Sequence, residues 1–174
     1  MKIAKTNFVL RTWQEDDYPS LARYANNINI WNNVRDAFPH PYTEDDAKAY
    51  IKYVTAMPFT ENMTIEVNGE ACGGIGFIPL SDVERFSAEL GYWIGEPYWG
   101  RGIVSDAVSA FIHYVFTETE IIRLFASVFE YNPASMKVLE KNGFRKVGIM
   151  NKAAIKNGKL IDMHYYELIH STAI

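Results

Sequence analysis

Two short stretches of this chain bring together residue types that could do chemistry. The first runs Tyr92-Trp93-Ile94-Gly95-Glu96-Pro97-Tyr98-Trp99-Gly100-Arg101-Gly102-Ile103-Val104-Ser105. A strand pattern ends there, two glycines alternate with one other residue, and a strongly periodic apolar helix begins. Closely spaced glycines let successive backbone N–H groups converge, and a helix N-terminus adds the positive end of its dipole, so such a loop can hold a phosphate or pyrophosphate. Main-chain amides would do most of that work, because Arg101 is the one cation between the carboxylates Glu96 and Asp106. Taken alone, the loop fits a tight strand-to-helix turn equally well. It lacks the Gly-Lys-Ser/Thr of a P-loop and the third glycine of a dinucleotide fingerprint. Gly73-Gly74-Ile75-Gly76 lies inside a strand pattern and reads as a bulge or a close backbone contact.

The second stretch is Asn132-Pro133-Ala134-Ser135-Met136-Lys137-Val138-Leu139-Glu140-Lys141-Asn142-Gly143-Phe144. Asn at the cap, Pro at the first helical position and Gly just past the end mark a short helix. Asn132 and Ser135 are then a cap and a first-turn residue whatever else they do. Lys137 and Lys141 share one face, with Arg145 and Lys146 beyond, as on a solvated surface.

In this order the two segments resemble the GNAT N-acetyltransferase superfamily, and within it the ribosomal-protein N-terminal acetyltransferase branch (the RimJ/RimL-like group). The likeness covers nearly the whole chain in element order. It is most specific in Glu89-Leu90-Gly91-Tyr92-Trp93-Ile94, in Trp99-Gly100-Arg101-Gly102, in Asn132 with Ser135 through Lys141-Asn142-Gly143-Phe144, and in Asp162 with Tyr166. The resemblance implies a loop, opened by Trp99, that cradles the pyrophosphate of acetyl-CoA on Gly100, Arg101, Gly102, Ile103, Val104 and Ser105. It implies that Trp93 and Ile94 pair through their main chain with the pantetheine arm, at a place where neighbouring strands splay. An N–H in that gap could stabilise the oxyanion of an attacked thioester. Asn132 and Ser135 would meet the pantetheine and its thiol end, Ser135 as donor to the departing thiolate. Lys137 and Lys141 would lie near the adenosine 3′-phosphate, and Trp31 to Tyr42 would line the acceptor cleft. Two positions depart from the family pattern. Val104 stands where a small residue usually lets the pyrophosphate approach, and Leu139 stands where many relatives carry a tyrosine general acid.

Acyl transfer to an amine needs the neutral amine, so a base must remove a proton from the ammonium. Glu89 is the first candidate, on the strand face carrying Ser87, Gly91 and Trp93; pairing with Arg85, Arg101 or Arg123 would make it an ordinary strand carboxylate instead. Glu130 and Tyr131 are further candidates.

These residues need a scaffold. Phe8 to Arg11 reads as a strand, Asp16 to Ala25 as a helix, and Thr43 with Asp46 as a capping box opening a helix to about Met57. Strands at Thr64 to Val67 and Ala71 to Ile78 flank the turn residues Asn68-Gly69. Ser87 to Ile94 and Arg123 to Phe129 read as strands around the helix that begins near Val104. Two last strands meet at Asn157-Gly158. The expected order is β-αα-βββ-α-β-α-ββ, a mixed, mostly antiparallel sheet of about seven strands flanked by four helices. That is an α/β (α+β) fold in a single N-acetyltransferase domain over residues 1–174.

The chain has 174 residues, 48% hydrophobic, with 17 Lys and Arg against 21 Asp and Glu and a net charge of -4. That balance argues against a nucleic-acid partner. The single Cys72 excludes an intrachain disulfide and a Cys-based zinc site, and the four histidines show no metal-ligand spacing, so no metal is expected. No Gly-x-Ser-x-Gly is present, and no stretch reads as a membrane span or signal peptide, so a cytoplasmic protein is the expectation. Taken together, these readings point to an acetyl-CoA-dependent N-acetyltransferase with acetyl-CoA as cosubstrate. It would act by direct attack of a primary amine, a protein or peptide N-terminus being favoured. A small-molecule amine such as a polyamine or antibiotic, and a non-catalytic acyl-CoA-binding regulator, stay open as alternatives. A monomer and a homodimer fit equally.

Overall fold

The computed structural model describes residues 2–57 and 61–171. Among them the elements follow as β1 (Lys2–Ala4), β2 (Val9–Arg11), α1 (Tyr18–Ala25), α2 (Ile28–Trp31), α3 (Glu44–Thr55), β3 (Asn62–Val67), β4 (Glu70–Pro79) and β5 (Ser87–Ile94). The chain then continues through α4 (Ile103–Glu118), β6 (Arg123–Phe129), α5 (Pro133–Lys141), β7 (Arg145–Lys156) and β8 (Lys159–Ile169). The strands hydrogen-bond in the order β1-β2-β3-β4-β5-β6-β8-β7, giving the mixed α/β arrangement the sequence implies, with eight strands rather than seven. The chain divides into two compact units, Met1–Gly76 with Tyr92–Ala107 and Phe77–Gly91 with Val108–Ile174.

In the first unit β1, β2, β3 and β4 form antiparallel pairs. Asn68 and Gly69 take φ of 53° and 84°, as a tight hairpin turn requires, and so fix the β3–β4 register. Thr43 and Asp46 cap α3 reciprocally, and Ala47, Ile51 and Val54 recur at helical spacing on its buried face. That face packs with Leu21 and Ala25 of α1 and with Trp13. The same unit holds a polar knot. Arg11 is fully paired, to both oxygens of Asp17 at 2.7 Å each and to Glu66 through Nε. Close packing explains the glycine run in β4. A Cβ on Gly73 would lie 2.6 Å from the Trp93 carbonyl oxygen, and one on Gly76 would lie 2.1 Å from Asn62 Oδ1.

In the second unit β5 pairs parallel with β6, and β6–β8 and β8–β7 pair antiparallel. Leu124, Ala126 and Val128 alternate inward along β6. In α4, Val108, Phe111 and Val115 are fully buried. Glu167 on β8 is buried between Arg123 (3.0 Å) and Arg145 (2.5 Å). The Arg123 hydrogen bond, then that of Arg145, hold its carboxyl below the usual glutamate range. Its folded pKa being depressed, Glu167 contributes stability above its unfolded pKa and loses it as pH falls from about 4.3 through the lower folded value. Glu167→Gln should therefore flatten the acid limb of the stability curve. Urea titrations at a series of pH values from 7 down to 3 check this; an unchanged slope would overturn it.

Two elements escape sequence reading. β1 shows an exposed, half-buried, exposed pattern and so carries no run of alternating apolar residues. α2 is a single turn capped by Asn27, whose side chain accepts the Asn29 N–H at 2.8 Å, and is too short to show a period.

Candidate active site

The glycine-rich loop belongs to the first unit, and its conformation is set by contacts on both flanks. Ahead of it, the Gly95 N–H donates to the Cys72 carbonyl at 2.8 Å, and Gly95 sits against the Tyr24 ring where any Cβ would collide at 2.8 Å. The Trp99 indole N–H donates to the Ile94 carbonyl at 2.8 Å and folds the segment 95–98 into a turn. Asn27 and Asn29 donate to Glu96 at 2.7 and 3.1 Å, and these bonds hold its carboxyl below the ordinary range. Tyr98 meets the Tyr24 hydroxyl at 3.1 Å, and Tyr24 donates to Glu70 at 2.6 Å.

Gly100 and Gly102 both adopt left-handed backbone, with φ of 71° and 78°. A Cβ at either would meet nothing within 4 Å, so the backbone angle rather than crowding selects glycine. The first helical bond of α4 runs from the Asp106 N–H to the Gly102 carbonyl at 3.1 Å. The amides of Ile103, Val104 and Ser105 thus lie ahead of it, at the positive end of a 16-residue helix. Alternating left-handed glycines that lead into a helix start are the geometry of an anion cradle. Arg101 is exposed, its guanidinium 5.6 Å from the centre of the Tyr98 ring. Val104 is half-buried and Ser105 buried. Trp93 is half-buried against the edge of Phe38 at 5.5 Å, and Phe38 lies 4.8 Å from Tyr42, within the stretch 31–42 expected to line an acceptor cleft.

The second unit holds the other named residues. The parallel β5–β6 register comprises Ser87↔Arg123, Ala88↔Leu124 and Glu89↔Phe125. It stops there, although β5 continues to Ile94 and β6 to Phe129. Glu89 therefore stands at the last recorded pair. It is half-buried, and its Oε1 accepts the Ser127 hydroxyl at 3.0 Å. Arg123, one of the partners considered for Glu89, pairs through its Nε with Glu167 at 3.0 Å. Asn132 caps α5 as expected, its Oδ1 accepting the Ser135 N–H at 3.1 Å. That bond brings both residues together on the first turn. Lys137 and Lys141 are exposed, and Leu139 is fully buried.

Sequence reading missed Ser127, the Asn27–Asn29 clamp on Glu96, and the Trp99–Ile94 bond. Only Ser127 had a usable signal, since it alternates with Arg123 and Phe125 on one side of β6. Cys72 is fully buried and its thiol donates to the Ile65 carbonyl at 3.2 Å; burial pushes its pKa up to about 12. At neutral pH it stays protonated and is no acyl-accepting nucleophile. Among the described residues no group of three or more His, Cys, Asp or Glu is placed to hold a metal. Nor is any helix there long and apolar enough to cross a membrane.

The profile of the acetyltransferase (GNAT) domain matches residues 7–145. The chain belongs to the GNAT acetyltransferase family. It is 33% identical over 108 residues to the uncharacterized N-acetyltransferase p20 of Bacillus licheniformis, covering 62% of this chain and 60% of that protein. It is 34% identical over 97 residues to the ribosomal-protein-serine acetyltransferase of Escherichia coli, covering 55% and 54%. In both cases the match spans less than two thirds of the relative. Among solved structures, RimL, a ribosomal L7/L12 alpha-N-protein acetyltransferase in complex with coenzyme A, superimposes with a TM-score of 0.87 at 22% identity over 98% of each chain. That likeness bears on the fold.

Proposed function

We propose that this GNAT chain transfers an acetyl group from acetyl-CoA to a primary amine, with a protein or peptide N-terminus as the favoured acceptor. The observation that carries the reading is the pair of left-handed glycines, Gly100 and Gly102, leading into α4. This cradle of main-chain N–H groups suits a pyrophosphate, with Arg101 as the nearby cation. The bound acetyl-CoA supplies an activated thioester. Gly100 to Ser105 would hold its pyrophosphate, with Trp99 shaping the loop through the Ile94 carbonyl. Trp93 and Ile94 would offer main chain to the pantetheine arm, Asn132 and Ser135 would meet its thiol end, and Lys141 would lie near the adenosine 3′-phosphate.

Glu89 takes the proton from the acceptor ammonium, directly or through a water, with Ser127 orienting its carboxylate. The neutral nitrogen attacks the thioester carbonyl carbon, the C–S bond breaks, and Ser135 donates to the departing thiolate. With Cys72 protonated and buried, transfer proceeds by direct attack within a ternary complex. The match to the ribosomal-protein-serine acetyltransferase supports the preference for an N-terminus, and a small-molecule amine is the alternative acceptor.

Calorimetric titration with acetyl-CoA tests the cradle. Wild type should bind in the micromolar range, about -8 kcal/mol. Gly102→Glu, which forces a side chain onto a left-handed backbone and adds a negative charge, should weaken binding by about 100-fold. Equal affinities would place the cofactor elsewhere. Binding without thiol release across a panel of amines and N-terminal peptides would favour the non-catalytic regulator.

A further inference from the structure

Tyr165 on β8 stands beside the candidate base with a hydroxyl that the fold does not use. The β6–β8 register pairs Phe125 with Glu167, Ala126 with Tyr166 and Ser127 with Tyr165. Cross-strand partners share a face, so Tyr165 lies on the same face as Ser127, with their Cβ atoms about 5 Å apart. Glu89 is on that face too, through its partner Phe125 and through its bond to the Ser127 hydroxyl at 3.0 Å. Three adjacent strands of the second unit, β5, β6 and β8, thus present a carboxylate, a hydroxyl and a phenol side by side.

Other tyrosines spend their hydroxyls on the structure. Tyr24 meets Glu70 and Tyr98, and Tyr166, on the opposite face of β8, donates to Glu140. The half-buried Tyr165 makes no hydrogen bond to any described residue. Its neighbours on the face are otherwise engaged or bare. Ser127 gives its proton to Glu89, Glu167 is held by Arg123 and Arg145, and the partner of Tyr165 on β7 is Gly148. The face is also open above this row. Gly148 shares it with Tyr165, and Gly91 shares it with Glu89 two residues earlier; both are exposed, and a Cβ at either would meet nothing within 4 Å. Glycines at these places let the main chain of a ligand come close to the sheet.

We propose that Tyr165 determines acceptor specificity, its hydroxyl donating to the main-chain carbonyl next to the amine of a peptide N-terminus. This rests on the acetyl-transfer reading with Glu89 as the base. An α-amine held at Glu89 carries its first carbonyl oxygen about 3 Å away, and Tyr165, one strand beyond Ser127, is placed to reach it. A polyamine or alkyl amine has no carbonyl there, so its binding would take water from the phenol and return no bond. A site built to hydrogen-bond a substrate group discriminates against the analogue that lacks it. Tyr165 therefore favours a peptide or an amino-acid amide over a polyamine. It moves no proton, so it acts on acceptor binding and leaves the chemical step to Glu89.

Thiol-release kinetics of the full chain with acetyl-CoA test this, comparing the amide of Ser-Ala-Ala-Ala with n-butylamine as acceptors. Tyr165→Phe removes only the hydroxyl. It should raise KM for the peptide about three- to tenfold, the scale of one lost hydrogen bond, while kcat, its pH profile and the affinity for acetyl-CoA stay within about twofold. For butylamine, kcat/KM should also stay within about twofold. An unchanged peptide KM would overturn the proposal. So would an equal loss with both acceptors, or a fall in kcat with a shifted pH profile, since either would mean that Tyr165 merely supports Ser127 and Glu89. A wild type that uses the peptide alone leaves the peptide KM and kcat to decide. Thiol release by the wild type with neither acceptor would instead strike the acetyl-transfer reading, and the role of Tyr165 with it.

Discussion

Glu89→Gln is expected to lower kcat by about 10²–10⁴-fold while leaving the affinity for acetyl-CoA within about twofold, the usual scale of a lost general base. The substitution keeps the shape of the side chain and its ability to accept the Ser127 hydroxyl, which lies 3.0 Å from Oε1. What it removes is the carboxylate proposed to take a proton from the acceptor ammonium. Raising the pH, and with it the fraction of neutral amine, should recover part of the loss. Ser127→Ala keeps the carboxylate and removes only its orienting bond, so it should cost far less. Stopped-assay thiol release across pH 6 to 10 reads both effects. If Glu89→Gln turns over at the wild-type rate at every pH, the base lies elsewhere, Glu130 and Tyr131 being the next residues to substitute. The prediction separates chemistry from binding because Gly102→Glu is expected to act on the other half, raising the dissociation constant of acetyl-CoA.

The scaffold was legible where local chemistry and tertiary packing agree. β5 and β6 were read with their observed bounds because Ala88, Leu90 and Ile94, and then Leu124, Ala126 and Val128, alternate cleanly and bury the same face. The turns at Asn68-Gly69 and Asn157-Gly158 announce themselves through left-handed pairs, and Thr43 with Asp46 through a reciprocal cap. β1 and α2 escape because a three-residue strand and a single helical turn hold too few positions to show a period. In the candidate site, the glycines and the Asn132 cap were readable from residue type alone. The bonds that shape the loop were not. Asn27 and Glu96 are 69 residues apart, and Ser127 and Glu89 are 38 apart, so each contact exists only once the sheet has set its register. Trp99 is the instructive case. Sequence reading counted it among cofactor contacts, and the structure shows its indole committed to the Ile94 carbonyl five residues back. A side chain can thus serve a ligand site by fixing the loop that forms it.

The largest expected loss of stability comes from the polar knot of the first unit. Asp17→Ala should destabilise the fold by about 3 kcal/mol, at the lower end of the range for breaking a buried ion pair. Arg11 and Asp17 are 9% and 7% exposed, and the guanidinium grips both carboxylate oxygens at 2.7 Å. The same carboxylate accepts the Gln14 N–H at 2.8 Å and so also fixes the entry to α1. Removing it strands the buried Arg11 with Glu66 as its remaining carboxylate partner, at the antiparallel β2–β3 pair where Arg11 faces Thr64. Replacing the whole cluster, in Arg11→Met/Asp17→Leu/Glu66→Gln, should recover part of that loss, since no buried charge is then left without its partner. Lys48 with Glu44 provides the contrast. Both are exposed, 3.8 Å apart one helical turn away from each other, and Glu44→Gln should cost no more than about 0.5 kcal/mol. Urea unfolding of the four proteins settles the order. A loss below about 1 kcal/mol in Asp17→Ala would mean that water reaches the site and screens the pair, and the contrast between buried and exposed ion pairs would not apply to this chain.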